Sequence, residues 1–332
     1  MWDFINPVSM IRYLVVWQVN SSLVQLSRYL PTELSQTLGL LIANRLPTPQ
    51  ARDWRKAVAT WEQAAASAAS DDRRRPPTGS RPIPDVTWPL ESVLFVYPGK
   101  RAYGQGETIL WELKLLGNSA DHGLFLEFIL PAMEQAATTT DPRWLRPYGL
   151  WGHFDIRAVY AARGARWEPV VREGRLDLDY RAAATQWAEG LTFGADLTRR
   201  LQRLTWITPF DLATQPRAPD SPPRSPKSSI LHNILDALME RMTLFLPGKR
   251  RVAADAWALL DSDEQTALWL ALEQTLPQRS LLDPAPRDWP GRWMGAQMFK
   301  TLPPRLLPYL ELASILHVGR QTHLGCGTFR LD

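Results

Sequence analysis

The hydrophobic period of this chain changes repeatedly along its length, and the order of the changes leaves few folds open. From Glu107 to Leu116 the side chains alternate, with Ile109, Trp111, Leu113 and Leu115 on one face. That two-residue period belongs to a half-buried strand. Leu124, Phe125, Phe128, Ile129 and Met133 then recur at helical spacing, and Phe154, Ile156, Ala158 and Tyr160 return to period two. Tyr13 to Val19 and Val93 to Tyr97 are short runs rich in branched and aromatic residues, as strands are. A helix is predicted over Glu33–Leu46. In chain order the first half therefore reads strand, helix, two strands, helix, strand.

The second half repeats this order without repeating the sequence. Leu201 to Thr208 is a strand, and Ile230, Leu231, Ile234, Leu235, Leu238 and Met242 form one helical face. Asp263 to Leu276 adds a further helix, Trp293 to Phe299 is strand-like, and Arg305 to Leu316 is a helix before a short terminal strand, Thr328 to Leu331. The order is ferredoxin-like. We expect an α+β protein of tandem ferredoxin-like (RRM-like) domains, residues 1–190 and 191–332, the second carrying a glycine-rich loop at 319–327. With 332 residues, 45% of them apolar, and fifteen tryptophans, the chain can bury two cores. Asp71–Pro89 and Gln215–Ser229, rich in proline, read as an exposed loop and an insertion.

The densest chemistry lies at the end, in His317-Val-Gly-Arg-Gln-Thr-His-Leu-Gly-Cys-Gly-Thr-Phe-Arg-Leu331. Glycine admits positive φ and close backbone approach, and successive free N–H groups in such a turn can hold phosphate oxygens. Arg320 adds a planar fork suited to the same anion. Neither the Walker pattern nor the dinucleotide fingerprint occurs, and the loop follows a helix rather than a strand.

Residues Leu310 to Leu331 closely resemble the C-terminal signature of the CRISPR repeat-RNA endoribonucleases, a family of the repeat-associated mysterious protein (RAMP) superfamily. The matching positions are His317, Val318, Gly319, Thr322, Gly325 and Gly327, with Arg320 in place of the usual lysine. Thr208-Pro209-Phe210-Asp-Leu212 is similar to the family's Thr-Pro-Leu strand end. Arg287–Phe299 sits where the family carries an arginine-containing strand, and Gly106–Gly117 resembles its strand ending in a Leu-x-Gly turn. The resemblance is strong over about 285–331, weaker over about 100–284 and thin before that.

The resemblance implies two ferredoxin-like domains and metal-free cutting of repeat RNA. In that family the 2′-OH attacks the adjacent phosphate, leaving a 2′,3′-cyclic phosphate and a 5′-OH. It implies RNA-binding roles for His317, Gly319, Arg320, Thr322, Gly325, Gly327 and Arg292, and a place among CRISPR effector subunits on the crRNA. The family's first helix commonly carries a histidine. Here Tyr29 to Arg45 resembles that helix but contains none. His323, inside the glycine loop, replaces a usual threonine and is the candidate acid or base. Arg45 and Arg28 are candidates to stabilise the phosphorane. A catalytically silent RAMP-type crRNA-binding subunit fits the same signature.

The remaining residues narrow the field. The net charge is +4, and only six of 38 basic residues are lysines. Arginine suits bidentate phosphate contact, although a GC-rich genome produces the same bias. Basic groups also gather at Arg73–Arg75, Arg199–Arg203, Arg217/Arg224/Lys227 and Lys249–Arg251, and Trp289 and Trp293 flank Arg292. Cys326 is single, which excludes an internal disulfide and a cysteine zinc cluster. No His/Asp/Glu spacing resembles a metal site, so no metal or cofactor is expected. A cytoplasmic setting and no membrane partner are expected, because neither a signal-peptide pattern nor an 18-residue apolar run occurs. His122 and His232 read as solvated or capping groups, and His153 as a strand-face residue beside Trp151 and Asp155.

Overall fold

The structure is a computed structural model that describes residues 2–71, 87–141, 146–194, 201–212, 230–248 and 251–332, with side chains outside 60–71. It is a mixed α+β protein with antiparallel sheets. Its residues divide into two compact units. The first comprises Ser9–Leu191 with Arg287–Trp289, and the second Met1–Val8, Thr192–Pro286 and Pro290–Asp332.

In the first unit, β1 (Met10–Val19) precedes a two-residue strand β2 (Val24–Gln25), α1 (Leu30–Arg45) and α2 (Thr48–Asp71). Then come β3 (Ser92–Val96), β4 (Ala102–Tyr103) and β5 (Thr108–Leu116). A helical stretch runs from α3 (His122–Leu124) through a π turn (Phe125–Ile129) into α4 (Leu130–Ala137). The sheet continues with β6 (Phe154–Arg163), β7 (Arg166–Arg172) and β8 (Arg175–Leu176). Its order is β3-β5-β1-β6-β7-β8, and β2 pairs with β4 separately. Strands β3, β5, β1 and β6 with α1 and α3–α4 make the ferredoxin-like unit; β7 and β8 extend one edge. The alternation of β1 turns Ile11, Tyr13, Val15, Trp17 and Val19 to the core. There Trp17 stacks on Phe154 with ring centres 4.1 Å apart and meets Trp111 at 5.2 Å. Each such fully buried side chain contributes roughly 1.5–3 kcal/mol. Pro131 lacks the N–H that an α-helix would need there, and the wider π turn just precedes it.

The second unit has β9 (Arg203–Phe210), α5 (Ile230–Met242), α6 (Ala253–Trp257), α7 (Ser262–Gln274), β10 (Leu276–Pro284), β11 (Trp293–Thr301), α8 (Leu307–Leu316) and β12 (Phe329–Leu331). The sheet order β10-β11-β9-β12 matches that of β3-β5-β1-β6. Leu204, Trp206, Phe210, Phe299 and Phe329 are buried on one side of this sheet.

Strand β10 escapes the sequence reading, which runs a helix to Leu276. Eight of its nine residues are exposed, so an edge strand with no buried face carries no hydrophobic period. Helix α2 is likewise absent from the sequence reading. His153 lies in a turn before β6 rather than on a strand face. His122 is buried, not solvated: its Nδ1 lies 2.7 Å from the Tyr13 hydroxyl. The loop expected over Asp71–Pro89 falls mostly, and the insertion Gln215–Ser229 entirely, outside the described residues. No helix among the described residues is long and apolar enough to cross a membrane.

Candidate nucleic-acid interface

The glycine loop takes its shape from close backbone contacts. Helix α8 stops at Leu316 because His317 adopts φ 58°, outside the helical region. The buried His317 ring lies with Nδ1 3.1 Å from both the Gly325 and Cys326 carbonyls. A nitrogen facing two acceptors must carry the proton, so Nδ1–H donates and ties the start of the loop to its end. Gly319 and Gly327 have φ of 93° and 85°. A Cβ at Gly319 would lie 2.4 Å from the Asp211 carbonyl oxygen, and one at Gly327 1.9 Å from that of Val318. Only glycine fits at either position.

The same packing consumes the donors expected to cradle a phosphate. Val318 N–H donates to the Gly327 carbonyl at 3.1 Å, Arg320 N–H to Asp211 at 2.9 Å, Gly325 N–H to Thr322 at 2.9 Å and Gly327 N–H to Pro209 at 2.9 Å. Thr328 N–H donates to the Thr208 hydroxyl at 3.2 Å. The open run of N–H groups read from the sequence is therefore not met at these positions. His317, Gly319, Thr322, Gly325 and Gly327 build the frame of the loop, while the Arg320 side chain is exposed on it. His323 is enclosed within the frame, its residue only 2% exposed.

Asp211, just after β9, joins this loop to the residues just before β11. Its carbonyl accepts from Arg320 N–H, and its carboxylate oxygen lies 3.5 Å from Arg292 Nε. Gln321 completes the junction, its side-chain oxygen accepting from Gly291 N–H at 2.6 Å. Asp211 thus holds the Arg320 backbone by its carbonyl and the Arg292 side chain by its carboxylate. The Arg292 side chain is 64% exposed. Beside it opens a cleft of about 550 Å³ lined by Phe210, Leu212, Ile230, Leu282 and the half-exposed Trp293, with Asn233 and Ser280 as polar members. An aromatic wall beside an exposed guanidinium suits a base and its phosphate. Asp211 stands inside the Thr-Pro-Phe-Asp-Leu segment that the sequence singles out, but its joining role depends on long-range packing that no local spacing reveals.

In the first unit Arg28 pairs with Asp288 at 2.7 Å and Tyr29 lies against Trp289 with ring centres 5.2 Å apart. Arg45 is exposed at the last turn of α1. Arg28 and Arg45 therefore sit at opposite ends of one helix, roughly 25 Å apart at 1.5 Å per residue, and cannot both touch one phosphate. Arg251 turns back onto the carbonyls of Thr243, Leu244 and Gly248, so it serves the structure. Arg73–Arg75, Arg199, Arg200, Arg217, Arg224, Lys227, Lys249 and Arg250 lie outside the described residues. Among the described residues no cluster of three or more His, Cys, Asp or Glu is placed to hold a metal ion.

No protein-family model matches the chain, and no curated protein matches its sequence. Among solved structures it is similar to a Cas6 product complex, at 18% identity and TM-score 0.42 over 98% of this chain and all of that one. It is also similar to a Thermus thermophilus Cas6, at 16% identity and TM-score 0.39 over 98% and 99% of the two chains. The product of a Cas6-related gene from Pyrococcus furiosus is similar at 10% identity and TM-score 0.35, over 98% of both.

Proposed function

We propose that this chain binds CRISPR repeat RNA through its second unit and cuts it without metal, the 2′-OH attacking the adjacent phosphate to leave a 2′,3′-cyclic phosphate and a 5′-OH. The observation that carries the reading is Asp211, which anchors the Arg320 backbone and the exposed Arg292 side chain, with Arg292 and Trp293 lining a cleft of about 550 Å³. The signature from Leu310 to Leu331 supports it from the sequence side. Arg320 and Arg292 hold phosphates, Trp293 offers a stacking face, and the enclosed glycines keep the arginines in place.

Cutting by such a site leans on geometry. Holding the 2′-OH in line and stabilising the charge on the phosphorane supply much of the rate when no free histidine is at hand. Arg28 or Arg45 can serve one phosphate, not both. His323 belongs to the loop frame and reaches RNA only if the loop opens. Its burial favours a second reading, a subunit that holds crRNA without cutting it. In either case the protein stays with its RNA in the cytoplasm, among other effector subunits.

The test is end-labelled repeat RNA in excess EDTA, beside the same RNA with 2′-deoxy at the scissile nucleotide. A single cut that disappears with the deoxy substrate supports the first reading. Tight, repeat-specific binding without a cut supports the second, and no specific binding overturns both.

A further inference from the structure

The sheet of the second unit has a second side, turned away from its buried residues, and strand register fixes what it carries. Arg203 on β9 and Arg279 on β10 are both partnered to Met298 on β11. Cross-strand partners share a face, so the three side chains form one row. Along β11, Gln297 and Phe299 are buried while Met298 is half-buried and Lys300 exposed, which places Lys300 beside the row. On β12, Arg330 is partnered to Thr205, two residues along β9 from Arg203 and on its side. Each of the four strands therefore contributes one cation to a single face: Arg279, Lys300, Arg203 and Arg330.

All four are exposed. Among the described residues no carboxylate pairs with Arg203, Arg279 or Lys300; Arg330 Nε lies 3.0 Å from Asp332. Asp283 shares the face four residues farther along β10. Strands lie about 4.8 Å apart, so Arg279 and Arg203, two strands removed, stand roughly 10 Å apart. Arg203 and Arg330, as diagonal neighbours, stand roughly 7–8 Å apart. A line of cations at such intervals, crossing the strands with an apolar methionine between two of them, matches a polyanion laid across the sheet rather than one compact anion.

We infer that this face is a phosphate track for a single-stranded stretch of RNA running from β10 to β12 across the strands. The inference rests on the RNA-binding reading above and gives it a path. Met298 offers an apolar surface to a base, and the cations take successive phosphates. The row sits roughly 17 Å along β11 from Trp293, at about 3.4 Å per residue. The cleft and the track are therefore separate contacts on one strand.

The test is the salt dependence of repeat-RNA binding to the full chain, compared between wild type, the double variant Arg203→Ala/Arg279→Ala and the charge-keeping variant Arg203→Lys/Arg279→Lys. Each phosphate contact on a single strand contributes about 0.7 to the slope of log K against log salt. The alanine pair is expected to lower the slope by roughly 1.4, and the lysine pair to restore most of it. Equal slopes in wild type and alanine pair, with wild type binding normally, overturn the track and leave the RNA-binding reading standing. Failure of wild type to bind repeat RNA overturns the reading itself and the track with it. A slope change reproduced by duplex RNA but absent with a single-stranded flank would also reject the track, because the row would then be serving a helix.

Discussion

The two units fold by one topology yet use the outer face of their sheets in opposite ways. In the first, Arg12, Glu112 and Lys114 stand on the side away from the helices, and Glu112 and Lys114 are almost fully buried. Arg12 pairs with Glu112 and lies 5.4 Å from the Trp167 ring, and the Tyr97 hydroxyl donates to Glu112 at 3.2 Å. Burial alone would push the Glu112 carboxyl up, but Lys114 and Arg12 hold it below the usual carboxylate range. In the second unit the corresponding face carries Arg203, Arg279, Lys300 and Arg330 in the open. The lesson is that charge on a sheet marks a binding surface only where it is left unsatisfied. The first unit closes its charges on one another; in the second, among the described residues, Arg203, Arg279 and Lys300 pair with no carboxylate, and Arg330 alone pairs with Asp332.

The sharpest way to break this comparison is Glu112→Leu. It leaves Arg12, whose side chain is largely enclosed, without the carboxylate it pairs with, and removing one partner of a buried pair costs about 3–5 kcal/mol. Urea denaturation followed by circular dichroism measures the loss. Arg203→Ala in the second unit should by contrast shift stability by less than about 0.5 kcal/mol, as surface substitutions do. If both variants are equally mild, the first cluster is not closed as described.

Next in size is the glycine frame. Gly327→Ala puts a methyl group 1.9 Å from the Val318 carbonyl at a φ of 85°. The expected cost is about 2–3 kcal/mol, and repeat-RNA affinity should fall with it because Arg320 loses its seat. Arg292→Ala should cost no more than about 1 kcal/mol of stability, as loss of a partly exposed ion pair does, and weaken RNA binding on the order of tenfold, within the roughly 1–3 kcal/mol of an arginine contact. Filter binding and thermal melting, run on both variants, separate a frame residue from a contact residue.

The sequence displays the two units because buried faces impose periods, as in Ile109, Trp111, Leu113 and Leu115, all of which are buried. It hides β10, whose residues face water on both sides and so follow no period. The glycine signature locates the loop but not its chemistry. From the sequence alone the glycines suggest open donors, whereas the carbonyls of Asp211, Val318 and Pro209, brought in by the fold, take up the space and several of the N–H groups. Asp211 and the four-strand row of cations are visible only in three dimensions, because strand register places them and a single sequence does not give register.

The smallest expected effect distinguishes the closed unit by pH. His122 is buried against Tyr13 and Phe125. Burial, with help from Arg181, lowers its pKa below the ordinary 6.5, and the Tyr180 backbone and Asp121 oppose the shift only in part. The folded state therefore binds fewer protons than the unfolded state around and below pH 6.5, and stability rises with pH there. The contribution is fully present above the unfolded value and is lost as pH falls through it toward the folded value. Urea midpoints of the wild type should thus decline from pH 7.5 to pH 5 more steeply than those of His122→Gln, which has no imidazole to titrate at this site. Equal slopes would mean that the imidazole already accepts a proton in the folded state, so that the first unit is not closed around it.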